Sequence, residues 1–208
     1  MFKLDHLMVE VDEPGKVAGE VAEKFALPFA WDLMEGEDYA SAGVNFGDLN
    51  IEFIKFTKRF GLRDTNHHGF SGIAFEANDT LDQCRSCLAD QGVSTRIGED
   101  AKAHTTVVVD EENTFPTLFL VKYKFDTTGW KNRLKAEFEQ AGGGAFGITD
   151  FAGLEINQPA EKNFLQGFSI TPSTKNRLNF TAKAGAEAVV LDMIPNLEIV
   201  ITPQTAQS

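Results

Sequence analysis

Apolar and polar positions alternate along the chain in a pattern that recurs. The segment LDHLMVEVDEP (4–14) is echoed loosely by SGIAFEAND (71–79) and TDFAGLEINQP (149–159), aligned on Glu10, Glu76 and Glu155. Each run has the apolar content of a strand and ends in a polar turn: Asp12-Glu13-Pro14, Asn78-Asp79 or Asn157-Gln158-Pro159. After the first two runs the apolar period lengthens from two residues to about 3.6, the signature of an amphipathic helix. Val17, Val21, Ala22 and Phe25 share a stripe within 15–27, as do Leu81, Cys84, Leu88 and Ala89 within 80–92. Asp79 or Thr80 supplies an N-cap, and Gly92 stands where a C-terminal glycine belongs. The third run is followed only by the short EKNFLQGF (161–168).

Strand-like segments then complete each unit. They are PFAWDL, YASAGVNF and LNIEFIKF in the first, and STRIGE, HTTVVVD and TLFLVKYKF in the second. The third has SITP, RLNFTAK, AEAVVLDM and NLEIVIT, and its ending aligns with NIEFIKF (50–56). The pattern predicts units of strand, helix and three strands at about 1–57, 69–125 and 148–203. Between the second and third, residues 126–147 read as a connector helix carrying Trp130, Leu134 and Phe138 on one stripe. The triple glycine 142–144 ends it, as a plain connector or as the hinge of a lid.

Composition narrows the classes of function. The 208 residues are 42% hydrophobic and 24% charged, an ordinary globular balance, with a formal net charge of −12. An acidic surface repels phosphate backbones and anionic bilayers, so neither nucleic acid nor membrane is an expected partner. No apolar run approaches the roughly 20 residues of a spanning helix. The N-terminus carries acidic residues where a signal peptide needs apolar ones, and two cysteines make no disulfide framework. Together these point to the cytoplasm. The aromatic balance is unusual: 18 Phe against two Tyr and two Trp. Rings in that number describe either a Phe-packed interior or a cavity walled for an apolar or flat small molecule.

The tandem βαβββ repeat opening with LDHLMVEV, its segment SAGVNFGDLNIEFI (41–54) and the later GIAFEAND (72–79) leading into a helix resemble the vicinal-oxygen-chelate superfamily, in particular its glyoxalase-like proteins. The resemblance covers 1–125 and, more weakly, 148–203. It implies an α+β fold in which tandem βαβββ modules form a curved mixed sheet around a cleft, with a third, partial module at the C-terminus. It also implies a divalent metal in the cleft, held from the first and last strands of each module. The activities it implies are isomerisation, ring-cleaving dioxygenation, epimerisation and thiol transfer, together with metal-free binding of antibiotics.

Strand parity tests the implied metal site. Along 4–11, His6, Met8 and Glu10 share one face, opposite Leu7, Val9 and Val11; along 51–56, Glu52, Ile54 and Phe56 share another. A Glu among Ile and Phe needs a partner, and His6 or a metal would serve. His6 and Glu52 are therefore candidate ligands for Zn, Fe, Mn or Ni. The slots matching His6 are Gly72 and Phe151, and Phe119 stands in the slot matching Glu52, with Glu198 in the third unit. Gly and Phe cannot ligate, so two protein ligands leave the other positions to water or substrate, or a third ligand is recruited from His104, His67, His68, Glu10 or Glu76. Without metal, a His held by a carboxylate titrates near neutrality and acts as general acid or base. Glu52, with its pKa raised by apolar neighbours, could itself abstract a proton. Asn45 would orient a carbonyl, and Met8, Phe56 and Phe119 would contact the ligand.

Other candidates carry structural readings. Cys84-Arg-Ser-Cys87 falls inside a helix, not at the N-terminus a redox pair needs. The bridge KRFGLRDTNHHG (58–69) is basic and reads as a solvated loop or as a rim attracting an anionic substrate. His104 reads as a strand-end residue. The expected function is a small-molecule enzyme of lyase, isomerase or dioxygenase type working at His6 and Glu52, possible as a homodimer. The alternatives are a metal-free binder with a Phe-lined pocket and an interaction module.

Overall fold

The computed structural model describes residues 2–60, 67–110, 116–157 and 170–205. Strand β1 (Lys3–Glu10) leads to helix α1 (Pro14–Phe25) and strands β2 (Phe29–Glu35), β3 (Tyr39–Asn45) and β4 (Asn50–Phe56). The order returns in β5 (Gly69–Glu76), α2 (Leu81–Ala89), β6 (Thr95–Asp100), β7 (His104–Val109) and β8 (Thr117–Tyr123). Local chemistry sets the helix ends. Pro14 opens α1, where a missing N–H is harmless. Thr80 and Gln83 form a reciprocal capping box at the start of α2.

These eight strands make one mixed sheet in the order β2-β3-β4-β1-β5-β8-β7-β6. β1 runs parallel to β4 and β5 parallel to β8, while β1 and β5 meet antiparallel in the middle. The two modules are thus related by a local two-fold at the β1–β5 seam. The sheet does not close, and β2 and β6 are its edges. Leu7, Val9, Ile51, Phe53, Ile73, Phe75, Leu118 and Leu120 are buried in one core with Val21 and Phe25 of α1 and Cys84 and Leu88 of α2. The opposite face carries His6, Met8, Glu52 and Phe119, the division that parity predicts.

Helix α3 (Thr128–Gln140) and a short 3-10 turn (Gly144–Phe146) connect to a second sheet. Its strands are β9 (Ile148–Asn157), β10 (Ile170–Ser173), β11 (Arg177–Ala182), β12 (Val189–Ile194) and β13 (Leu197–Pro203), in the order β10-β9-β11-β13-β12. Here too an antiparallel seam, β9–β11, is flanked by parallel pairs, β9–β10 and β11–β13. The small sheet repeats the large one in reduced form. The segment NLEIVIT closes on β11 rather than on β9, and 161–168 lies outside the described residues.

Aromatic packing joins the two sheets. Phe25 meets Phe46 edge-on at 4.9 Å, and Phe46 stacks on Phe180 at 5.5 Å. The backbone N–H of Phe70 donates to Pro195 O at 2.9 Å. Gly142, Gly143 and Gly144 are three consecutive left-handed residues (φ 63°, 80° and 70°). A Cβ on Gly144 would stand 2.1 Å from Phe25 O, so only glycine lets this turn seat against the end of α1.

Candidate functional site

The site begins with an irregularity in β1. Leu4 pairs with Phe75 of β5 and His6 with Ala74, leaving Asp5 as an extra residue. Such a bulge re-aims side chains that strict alternation would place on opposite faces. Asp5 and His6 consequently meet, and the imidazole Nδ1 lies 2.8 Å from Asp5 Oδ2. On the other side of the ring, Nε2 stands 3.4 Å from Glu52 Oε2 of β4. Tyr123, at the end of β8, donates its hydroxyl to Asp5 Oδ2 at 2.8 Å. The result is a buried Tyr123–Asp5–His6–Glu52 array crossing the module seam, whose Asp5, His6 and Glu52 side chains are 8%, 10% and 12% exposed.

Burial opposes the imidazolium, but the hydrogen bonds and charges of Asp5 and Glu52 outweigh it and push the His6 pKa up to about 10. His6 is therefore a fixed cation at neutral pH rather than the near-neutral titrating group that its residue type suggests. Burial would raise Asp5, yet the hydrogen bond and charge of His6, with the Tyr123 hydroxyl and the charge of Lys131, hold it below the usual carboxylate range. Burial and the neighbouring Asp5 carboxylate raise Tyr123. Tyr39 is pushed up to about 12 by burial and then by Glu99, Glu52 and Asp38.

His6, Glu52 and Tyr123 of the array line a cavity of about 450 Å³ between the two modules, with Asp5 behind His6. Of the candidate site residues, His6, Met8, Glu52, Phe56 and Phe119 all line it. Asn45 does not. It is wholly buried at the end of β3, where α3 covers the concave face; its Nδ2 donates to Leu134 O at 2.7 Å and its Oδ1 accepts from Gly47 N at 2.8 Å. Asn45 fastens a helix to a strand.

Residue reasoning missed Asp5, because a bulge leaves no mark in the alternation. It also missed the rarer aromatics. Both tryptophans, Trp31 and Trp130, and both tyrosines, Tyr39 and Tyr123, line this cavity, with Phe56, Phe60, Phe119 and Phe125. The Phe surplus thus serves two places, the joint between the sheets and this wall. Scarcity of Trp and Tyr was the usable signal. Met34 and Phe125, each about half exposed, stand where the cavity opens. His104 begins β7 and meets Glu99 at 3.5 Å on the far wall.

Among the described residues, the donor set does not fit a resident divalent metal. His6 and Glu52 do converge, but Asp5 takes the imidazole Nδ1 and only Nε2 and the Glu52 carboxylate remain to ligate. Met8 fills the space beside Gly72, its Cε 2.5 Å from where a Cβ would stand. The Phe119 ring meets His6 edge-on at 5.7 Å. Glu10 accepts from Arg59 at 2.7 Å, and Glu76 is paired with Lys131. Among the described residues, no group of three or more His, Cys, Asp or Glu is placed to hold a metal ion.

The remaining motifs have structural roles. Arg59 is buried, not solvated: besides Glu10 it donates to Ser71 O and Thr117 Oγ1 and lies over Phe60 at 5.2 Å. Within that bridge, 61–66 lies outside the described residues. Cys84 and Cys87 are free thiols within α2, and burial raises Cys84. Behind the array, a second cavity of about 430 Å³ is lined by Asp5, Lys3, Asp48, Lys131 and Asn50, among others. The buried Oδ1 of Asn50 has no hydrogen-bond partner among the described residues.

No family model and no curated protein matches the chain. Solved structures do. A hypothetical protein from Staphylococcus aureus aligns with a TM-score of 0.62 at 11% identity, over 98% of this chain and 100% of its own. An extradiol ring-cleaving dioxygenase from B. fuscum aligns with a TM-score of 0.60 at 10% identity, over 98% of this chain and 72% of its own. At such identity the likeness is one of fold. The chain shares the fold of these two structures. Among the described residues, no helix is long and apolar enough to cross a membrane.

Proposed function

We propose that the protein is a small-molecule enzyme of the glyoxalase-like group that moves protons without a metal, as an isomerase or lyase. The observation that carries this reading is the Asp5–His6–Glu52 array on the wall of an aromatic cavity. Glu52 has one oxygen near the imidazolium and stands at the cavity surface, so it can serve as a carboxylate base. It takes a proton from carbon next to a carbonyl, and the electron pair moves to the carbonyl oxygen as an enolate. As Glu52 takes the proton it ceases to neutralise His6, whose charge, held by Asp5, then faces the enolate. The carbonyl-orienting role expected of Asn45 passes to Tyr39, which lines the cavity and whose hydroxyl has no partner among the described residues. Delivery of a proton to the opposite face or to a neighbouring atom completes an epimerisation or isomerisation. Ring-cleaving dioxygenation, the chemistry of the B. fuscum neighbour, asks for a metal centre that His6 and Glu52 do not complete.

The test is proton exchange. Neutral aryl ketones and dicarbonyl compounds are incubated with the protein in D₂O, and deuterium uptake is followed by NMR. Glu52→Gln is expected to lower enzyme-dependent exchange at least 100-fold while far-UV circular dichroism stays unchanged. Equal exchange by Glu52→Gln would overturn the assignment. So would near-stoichiometric Fe, Mn, Ni or Zn in the wild type that is lost in His6→Ala.

A further inference from the structure

The charges on the cavity wall point to a class of ligand, given the reading above that the cavity is where the ligand binds. Among the described residues, not one Lys or Arg lines it. The charged side chains on the described wall are Glu52, Glu99, His6 and His104, and Tyr39 and Tyr123 are its other titratable groups; Asp5 stands behind His6, and Arg59 lies over Phe60. With His104 neutral, the two wall carboxylates outnumber the one imidazolium; with it charged they are matched, so positive charge is never in excess on the described wall. The His6 charge is already engaged on both sides by Asp5 and Glu52, 2.8 and 3.4 Å away. An incoming carboxylate or phosphate would meet like charges and no free cationic donor. The rings complement this. Trp31 and Trp130 lie 6.3 Å apart, Tyr123 is 5.8 Å from Trp130, and Phe60 is 5.0 Å from Phe119. Their π-faces attract a cation and stack on a flat ring, and a carboxylate on each side wall reinforces the preference.

We propose that the cavity selects a flat organic cation, an amine borne on a ring system, and rejects organic anions of the same size. With both tryptophans on the wall, intrinsic fluorescence reports occupancy directly.

Three probes of one shape decide it: 2-naphthylmethylammonium, the neutral 2-naphthylmethanol and the anionic 2-naphthoate, each titrated into the whole protein at pH 7. The expected result is saturable quenching with Kd at least tenfold lower for the ammonium than for the naphthoate, and the alcohol between them. Glu99→Gln, outside the proton-transfer array, should shrink the ammonium-to-naphthoate ratio at least threefold. Glu52→Gln should shrink it further, both variants keeping the wild-type circular dichroism. Naphthoate binding as tightly as the ammonium, no saturable quenching by the ammonium, or a ratio unchanged in both variants would each overturn the proposal. The outcome is separable from the catalytic one. Tight ammonium binding without deuterium exchange on any carbonyl compound removes the catalytic reading and leaves the selectivity. Exchange on neutral ketones without ammonium preference does the reverse.

Discussion

At the scale of single residues, Asp5 decides what His6 is. An imidazole between two buried carboxylates is a fixed charge, and removing Asp5 should return it toward an ordinary histidine. In NMR titrations the wild-type His6 ring is expected to stay protonated through pH 8, whereas in Asp5→Asn its midpoint should fall by at least one pH unit. Stability should follow. The folded-state pKa of His6, about 10, exceeds its unfolded value of 6.5, so its contribution is complete below pH 6.5 and is lost as pH rises toward 10. Asp5 is lowered from 3.8, so its contribution is present above that value and is lost as pH falls. The Tm of the wild type should therefore decline from pH 6.5 to 10, with a shallower slope in His6→Gln. A Tm independent of pH across that range would refute the array. How legible these residues were depended on regularity. Parity along β1 and β4 put His6, Met8, Glu52 and Phe56 on one face correctly. It failed at Asp5, where one extra residue changes the phase; Asn45, expected to orient a carbonyl, sits where the end of its strand is covered by a helix arriving from 89 residues away.

At the scale of elements, two attachments shape the cavity. Trp31 of β2 lies over Gly43 of β3, where an added Cβ would come within 2.7 Å of the indole. Gly43→Val should drive the ring outward, shift the tryptophan emission maximum and weaken naphthyl-probe binding at least fivefold. An unchanged spectrum would show that the contact does not set the ring's place. Arg59 is the other attachment, tying the chain after β4 to β1, β5 and β8 through Glu10, Ser71 and Thr117. Arg59→Met leaves Glu10 charged and buried, which should cost about 3–5 kcal/mol in urea unfolding. Adding Glu10→Met should recover part of that loss. The helices and strands were readable because each obeys its own period. Thr80 and Pro14 are capping chemistry that sequence states outright. The role of Arg59 was hidden, because a basic stretch between units looks like a solvated loop until its partner on β1 is in view.

At the scale of the whole molecule, the two sheets share one core. Phe46 of the first stacks on Phe180 of the second, and Phe70 is hydrogen-bonded to the turn at Pro195. Tryptophan emission, which senses only the first sheet and α3, and far-UV circular dichroism, which senses both sheets, should therefore unfold in urea with one midpoint. Two separated transitions would mean that the sheets are independent. Pairing between sheets was the least legible level. The sequence marks strands but not their partners, and the likeness of NLEIVIT to NIEFIKF gave no hint that β13 closes on β11.

Asp5 stands on the wall between two chambers, the aromatic one in front and the polar one behind. A ligand stoppering the front chamber would leave the rear one open to the Asp5 carboxylate, and through it to the proton on His6 and the neighbouring Glu52. Hydrogen lifted from a bound molecule could then be traded for solvent hydrogen before the molecule departs. In a deuterated substrate this predicts washout rather than internal return: the label should appear in water after a single passage, even when product release is slow.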